Sequence, residues 1–241
     1  MIDTAVVLAA GQGSRLRASA PLKPLCPAAG VPLIDRALES LAAAGIERAV
    51  VVTGYGADTI EAHLAARDWP LAVETVRTAD WMQPNGVSVL AAADRVADQA
   101  LLAMCDHVVE PALYARVREA GAGDGLRLGV DRRLGHGWID PDDVTCVATE
   151  GERIVAIGKG LEPHDCYDVG VFAIGQPLFA ALGQLPSPSL TEGVRLLAAE
   201  GRARVVDCSD LAWIDVDDAS ALATAEAWLA PPALRSSPFR R

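Results

Sequence analysis

Ala5-Val6-Val7-Leu8-Ala9 runs without a break into Ala10-Gly11-Gln12-Gly13-Ser14-Arg15-Leu16. Five consecutive apolar residues ahead of a glycine-rich turn read as a buried strand, the kind a sheet covered on both faces places at its centre. The two glycines let backbone N–H groups converge on an anion, and the turn leads toward a helix N-terminus. A phosphate site at the carboxyl end of the first strand is therefore the expectation. The stretch is not a dinucleotide fingerprint, because G-x-G-x-x-G needs glycine where Leu16 stands. Nor is it a Walker A loop, since no Gly-Lys-Ser/Thr follows. A lone G-x-G is equally compatible with a plain tight turn.

Outward from this stretch, apolar runs of strand length alternate with segments of helical period. Strands are expected at 48–53, 71–76, 101–105, 169–174 and 204–207. Helices are expected at 31–44, with Pro32 in its first turn, and at 58–66, 87–96, 111–120, 177–182, 190–199 and 219–229. Segments 144–148 and 153–157 flank Glu150-Gly151-Glu152 as a hairpin. The alternation predicts an α/β fold, a Rossmann-like three-layer α/β/α sandwich with a mixed, mostly parallel sheet. One domain over 1–230 is expected, followed by a loose tail at 231–241.

The chain has 241 residues, 51% hydrophobic and 22% charged, a globular composition. Its net charge of −11 argues against a nucleic-acid partner, which would demand clustered Lys and Arg. No apolar run reaches the ~18 residues of a membrane span, so no membrane insertion is expected. Residues 1–10 lack a basic leader and carry Asp3, which favours a strand over a signal segment. The five cysteines form no C-x-x-C pair and fit free thiols in a cytoplasmic setting. Among 21 basic residues only Lys23 and Lys159 are lysine. Lysine is a compact, mobile point charge, unlike the planar guanidinium fork, and suits a phosphate whose oxygens move.

Arg15 and Arg17 follow the glycine turn, and Lys23-Pro24-Leu25 stands eight residues beyond Arg15. Together these resemble the nucleotidyltransferases that activate sugar phosphates, whose opening motif is L-A-A-G-x-G-x-R-L followed by P-K-P-L. Leu8 to Leu16 match every fixed position, while Leu22 is inserted between Pro21 and Lys23. The resemblance implies the nucleotide-diphospho-sugar transferase type of fold. It also implies a nucleotide-binding half over about 1–120 and an acceptor-binding half over about 121–230. Leu8, Ala9, Ala10, Gly11, Gly13 and Ser14 would hold the nucleotide, and Arg15 and Lys23 the triphosphate.

Such a reaction needs a divalent cation, and Mg²⁺ takes hard carboxylate oxygens. Asp106 follows the apolar run 101–105 and Asp215 follows 211–214, both at strand ends where α/β sheets bind ligands. A lone aspartate there also serves as a cap, and Asp217 and Asp218 compete as helix N-terminal acids. In the family the metal aspartates lie after the fourth strand and in a W-x-D-V-D segment, which selects Asp106 and Asp215. Cys105 stands where glycine is commoner. His107 carries little weight as a base, because a phosphate dianion is already nucleophilic.

One branch is matched more closely, the CTP-dependent inositol-1-phosphate cytidylyltransferases. Its hallmarks occur in order at 105–108, 154–161, 168–172, 190–192 and 213–217. This implies that Lys159 contacts the acceptor phosphate, with Asp168, Gly170 and Glu192 near the acceptor; Val169 replaces a common Thr. Asn85, Gly86 and Ser88, opening a helix, either read a base edge or form an ordinary N-cap turn. The expected partners are CTP and a small phosphorylated acceptor; the half-apolar composition leaves room for a homodimer. Several relatives carry a fused membrane synthase; without a membrane segment, the expectation is a stand-alone enzyme. The alternatives are a sibling using UTP or GTP with a sugar 1-phosphate, a cytidylyltransferase for phosphocholine or a phosphonate, and a regulatory subunit without chemistry. An NAD(P) oxidoreductase fails on Leu16.

Overall fold

The computed structural model describes residues 1–16 and 20–230; Arg17 and the tail expected at 231–241 lie outside them. The first strand, β1 (Thr4–Ala9), is buried along its whole length. Its alternate residues serve two cores: Ala5, Val7 and Ala9 face one side of the sheet, and Val6, Leu8 and Ala10 the other. A period of two with both faces apolar is what forces helices onto both sides.

The remaining elements follow in chain order. β2 (Pro27–Ala28) and β3 (Val31–Pro32) form a small ribbon before α1 (Leu33–Ala43). Then come β4 (Arg48–Thr53), α2 (Ala57–Ala65), β5 (Ala72–Arg77), α3 (Asn85–Ala91), β6 (Gln99–Met104), β7 (His107–Val109) and α4 (Pro111–Ala120). The second half holds β8 (Leu126–Asp131), β9 (Thr145–Glu150), β10 (Arg153–Lys159), β11 (Cys166–Gly175), α5 (Gln176–Leu182), α6 (Leu190–Ala199), β12 (Ala203–Asp207), β13 (Trp213–Asp215) and α7 (Ala219–Leu229).

A nine-stranded sheet runs β5-β4-β1-β6-β11-β8-β12-β10-β9. β1, β4, β5 and β6 pair in parallel, as do β8 and β12, whereas β11 and β10 run against their neighbours. The α/β/α sandwich with a mixed sheet is thus as expected. Leu38, Leu41, Ile60, Leu113 and Val117 cover one face, and Val89, Leu178, Leu182, Val194 and Leu197 the other. Truncating one of the fully buried leucines, Leu102 for example, costs about 2–5 kcal/mol.

Three local readings are corrected. Pro32 ends a ribbon strand and caps α1 from outside, so the helix opens at Leu33. The helix expected over 87–96 stops at Ala91 and gives way to a 3-10 turn at Ala93–Arg95. β8 was not expected, because Arg127 and Gly129 break its apolar pattern. Gly129 is needed there: a Cβ would stand 3.0 Å from Val169 and 3.1 Å from Val117. No helix among the described residues is long and apolar enough to cross a membrane, and all five cysteines are free and buried.

Candidate active site

β1 has β4 on one side and β6 on the other, so the chain reverses its direction of winding at the carboxyl ends of β1 and β6. That crevice is where open α/β sheets bind ligands. Asp106 leaves β6 there, its neighbour Cys105 donating its N–H to the Leu8 carbonyl at 3.1 Å. The short antiparallel ribbon β7–β13 sets Asp215 opposite His107. The Val216 N–H then donates to the Asp106 carbonyl at 3.0 Å. Two aspartates 109 positions apart in sequence are thereby held at one strand end.

Lys23 points into this corner from a 3-10 turn (Lys23–Leu25) and is buried. Its Nζ lies 2.6 Å from Asp106 Oδ2 and 3.9 Å from Asp215 Oδ1, and it also pairs with Asp217. Burial opposes the charge, but Asp106, Asp215 and Asp217 together hold the ammonium well above its ordinary range. Asp106 is partly buried, and Lys23 and His107 hold it far below the usual carboxylate range. Asp215 goes the other way: burial, with Asp106 and Asp217 as like charges, pushes it up to about 7 against the pull of His107 and Lys23.

His107 has its Nδ1 3.1 Å from Asp106 Oδ1 and 3.6 Å from Asp215 Oδ1. It stacks on Trp213 with ring planes 15° apart. Burial lowers its basicity, but Asp215 and Asp106 outweigh that and push it up to about 9. Trp213 is fixed in turn by its Nε1–H donating to the buried Asp131 at 2.9 Å. Gly170, at φ +76, leaves room for the imidazole; a Cβ there would stand 2.5 Å from it.

The second cationic group lies beside a cleft of about 270 Å³ that Asp143, Lys159 and Asp217 line. Arg15 reaches Asp143 and Asp217 at 2.5 Å each, and Lys159 at the end of β10 pairs with the same Asp143. A continuous chain of ion pairs, Lys23–Asp217–Arg15–Asp143–Lys159, therefore joins both lysines of the protein. Asp168 lines the cleft, its Oδ1 accepting the Gly170 N–H at 2.7 Å. Burial pushes its carboxyl up to about 6.

Several residues singled out from the sequence are employed elsewhere. Glu192 caps its own helix, accepting from Ser189 N and Oγ at 2.8 Å each in a capping box. Both bonds fall on Oε2, and Glu192 is absent from the residues that line the cleft. The Asn85 amide oxygen accepts the Leu190 N–H at 2.9 Å, and Gly86 lets α3 pack against Pro188. Ser88 is buried. Asn85 and Gly86 dock α3 onto the start of α6, and of the three only Asn85 lines the cleft. Leu8, Ala9 and Ala10 are buried backbone supports of the glycine turn rather than side-chain contacts. Gly11 stays open, with nothing within 4 Å of a Cβ position. Asp143 was missed; its only trace in the sequence is an acid-rich turn, Asp140-Pro141-Asp142-Asp143.

The carboxylates also meet the demands of a divalent cation. Ligand atoms of Asp106, His107 and Asp215 lie within 4.8 Å of one another, as do those of Asp143, Asp215 and Asp217. Asp215 Oδ1 is buried without a hydrogen-bond partner. Hard oxygen donors with an unsatisfied lone pair suit a cation of the magnesium type.

A family model described as MobA-like NTP transferase domain matches residues 5–207. The chain is 35% identical over 218 residues to a bifunctional IPC transferase and DIPP synthase of Rubrobacter xylanophilus, covering 88% of this chain and 49% of that one. It is 34% identical to the N-acetylmuramate alpha-1-phosphate uridylyltransferase of Caulobacter vibrioides, covering 94% of this chain and 96% of that protein. Among solved structures, the inositol-1-phosphate CTP transferase from T. maritima superposes with a TM-score of 0.81 at 25% identity, covering 91% of each chain. The chain spans about half the length of the first curated relatives it matches.

Proposed function

The chain belongs to the MobA-like NTP transferase domain family, and from that premise we propose that it transfers CMP from CTP to inositol 1-phosphate, forming CDP-inositol and releasing pyrophosphate. The observation that carries this is the ion-pair chain from Lys23 to Lys159, which links both lysines and Arg15 to the carboxylates of one cleft, two of them strand-end aspartates. The activities named for the Rubrobacter and T. maritima proteins support CTP and the inositol phosphate as substrates.

In this reading an oxygen of the acceptor phosphate forms a bond to the α-phosphorus while the bond from that phosphorus to the β-phosphate oxygen breaks. The leaving pyrophosphate takes the electron pair. Lys23 and Arg15 offset the charge on the triphosphate and on the departing group, and Lys159 holds the acceptor phosphate in line. The glycine turn at Gly11 and Gly13 offers backbone N–H groups to the nucleotide, and Asp168 accepts from acceptor hydroxyls. Asp106 and Asp215 would hold Mg²⁺, which when bound neutralises phosphate oxygens as a Lewis acid. His107 keeps the two carboxylates together from the side facing Trp213. Residues 1–230 act as one catalytic unit, the nucleotide lying over the first half of the sheet and the acceptor over the second. Five free, buried thiols support a cytoplasmic setting.

A second reading is favoured by the Caulobacter protein, matched over nearly its whole length: transfer of UMP to a sugar 1-phosphate. Four nucleoside triphosphates assayed against a panel of phosphorylated polyols and sugars, read by pyrophosphate release, separate the two. Turnover with CTP and inositol 1-phosphate well above every other pair is the expected result; preference for UTP with a sugar 1-phosphate overturns it.

A further inference from the structure

Asp143 stands where phosphate is expected. It bonds Arg15 and Lys159 at once, so a single carboxylate occupies the cation assigned to the triphosphate and the cation assigned to the acceptor phosphate. Both cations are more exposed than buried, with side chains 51% and 59% accessible. Ion pairs of that kind are weak and exchange readily.

Asp143 is carried on a loop. Residues 132–144 link β8 to β9 with no helix or strand of their own. Loops of that length in a compact domain are usually functional. Its backbone is anchored at several points: Arg133 donates to Asp131 at 2.8 and 2.9 Å and to the Leu211 carbonyl at 2.9 Å, the Gly135 N–H donates to the Tyr167 hydroxyl at 3.3 Å, and Ile139 and Val144 pack against the core. Gly135, at φ +78, and Gly137 lie on the loop, and a Cβ on either would meet nothing within 4 Å. The same segment supplies Trp138, Ile139 and Asp140 to the cleft wall.

Charge balance points the same way. Asp106, Asp143, Asp215 and Asp217 face Lys23, Arg15 and Lys159 in one connected group. With Asp106 and Asp215 given to the divalent cation, Asp143 and Asp217 are left competing with phosphate for Arg15, Lys23 and Lys159. Asp106 and Asp215 sit at strand ends, and Asp217 is tied to Lys23; Asp143 alone of the four rides on the loop.

We infer that Asp143 is a displaceable tenant of the phosphate site, and that its eviction couples the two substrate subsites. The phosphate that arrives first takes one of its two cations and turns the loop away, which frees the other cation for the second phosphate. Binding of the two substrates is then mutually reinforcing. The inference rests on the reading of this cleft as a phosphate-transfer site.

The test is calorimetric titration of the intact chain with inorganic pyrophosphate, alone and with saturating inorganic phosphate. Wild type, Asp143→Asn and Asp142→Asn are compared; Asp142 is an exposed neighbour that bonds neither cation, and its variant makes the same change in charge. Asp143→Asn should bind pyrophosphate two- to fivefold more tightly than wild type, the range an exposed ion pair allows. Added phosphate should tighten pyrophosphate binding to wild type and leave Asp143→Asn unchanged. Tryptophan fluorescence should shift on pyrophosphate binding to wild type, and the shift should disappear in Trp138→Phe. Equal or weaker binding by Asp143→Asn, or an equal gain in Asp142→Asn, overturns the tenant and leaves the proposed function standing. Failure of wild type and Asp143→Asn alike to bind pyrophosphate overturns both.

Discussion

The aliphatic stem of Lys23 runs through the space that a side chain on Gly13 would fill: a Cβ at position 13 would stand 2.9 Å from Lys23 Cδ and closer still to Cβ. Gly13 also adopts φ +57, where L side chains are strained. The second glycine of the turn therefore does more than turn the chain. It is the slot through which the buried lysine reaches Asp106, Asp215 and Asp217.

Gly13→Ala should accordingly act on the lysine. The expected loss in kcat/KM is on the order of 10²–10⁴, the range seen when a preorganised charge stabiliser is displaced. Lys23→Met, which keeps the stem and removes the charge, should fall in the same range. A pyrophosphate-release assay checks both, and a loss under tenfold for either one contradicts the role given to Lys23.

Asp106 and Asp215 should bind a divalent cation in the absence of nucleotide. Millimolar Mg²⁺ is expected to raise the wild-type melting temperature, because a ligand that binds only the folded state stabilises it by mass action. Asp215→Asn and Asp106→Asn should each abolish that rise. A rise of equal size in both variants would place the cation elsewhere.

Asp168 gives a signed pH dependence. Its carboxyl is raised by burial from 3.8 to about 6, so the folded protein binds this proton more tightly than the unfolded chain does. Stability from this group is present below about pH 4 and lost as pH rises to about 6. The loss at neutral pH is on the order of 2–3 kcal/mol. Asp168→Asn keeps the bond to the Gly170 N–H and should melt higher than wild type at pH 7.5 but not at pH 4. It should also raise KM for the acceptor more than KM for the nucleotide.

Glu192→Ala should behave as the loss of a helix cap. The expected result is a lower melting temperature than wild type, because the Ser189 backbone N–H loses its partner. KM for the acceptor should stay within twofold of wild type in steady-state assays. A tenfold rise in KM without loss of stability would return Glu192 to the acceptor site.

Local patterns made a large part of this protein legible in its sequence. The first strand and its glycine turn, the alternation of apolar runs with helical periods, the hairpin about Glu150-Gly151-Glu152 and the isolation of two lysines all depend on near neighbours in the chain. Backbone period and glycine geometry are near-neighbour properties. They were enough for an α/β sandwich; the choice of Asp106 and Asp215 over other strand-end acids rested on the resemblance of the motifs to a known family. β8 escaped because Arg127 and Gly129 hide its period; the reason for Gly129, close approach of Val117 and Val169, exists only in the packed sheet.

What each polar side chain bonds was decided by tertiary structure. Arg15 finds Asp143 across 128 residues and Lys23 finds Asp217 across 194. Glu192 and Asn85, equally suited by type to a substrate, are committed to the α6 N-terminus. A charged group in a folded chain pairs with whatever the sheet and its loops bring within hydrogen-bond reach, and sequence separation plays no part in that distance. The chain by itself specifies which chemistry it carries; the β7–β13 ribbon and the loop at 132–144 decide which of those groups meet.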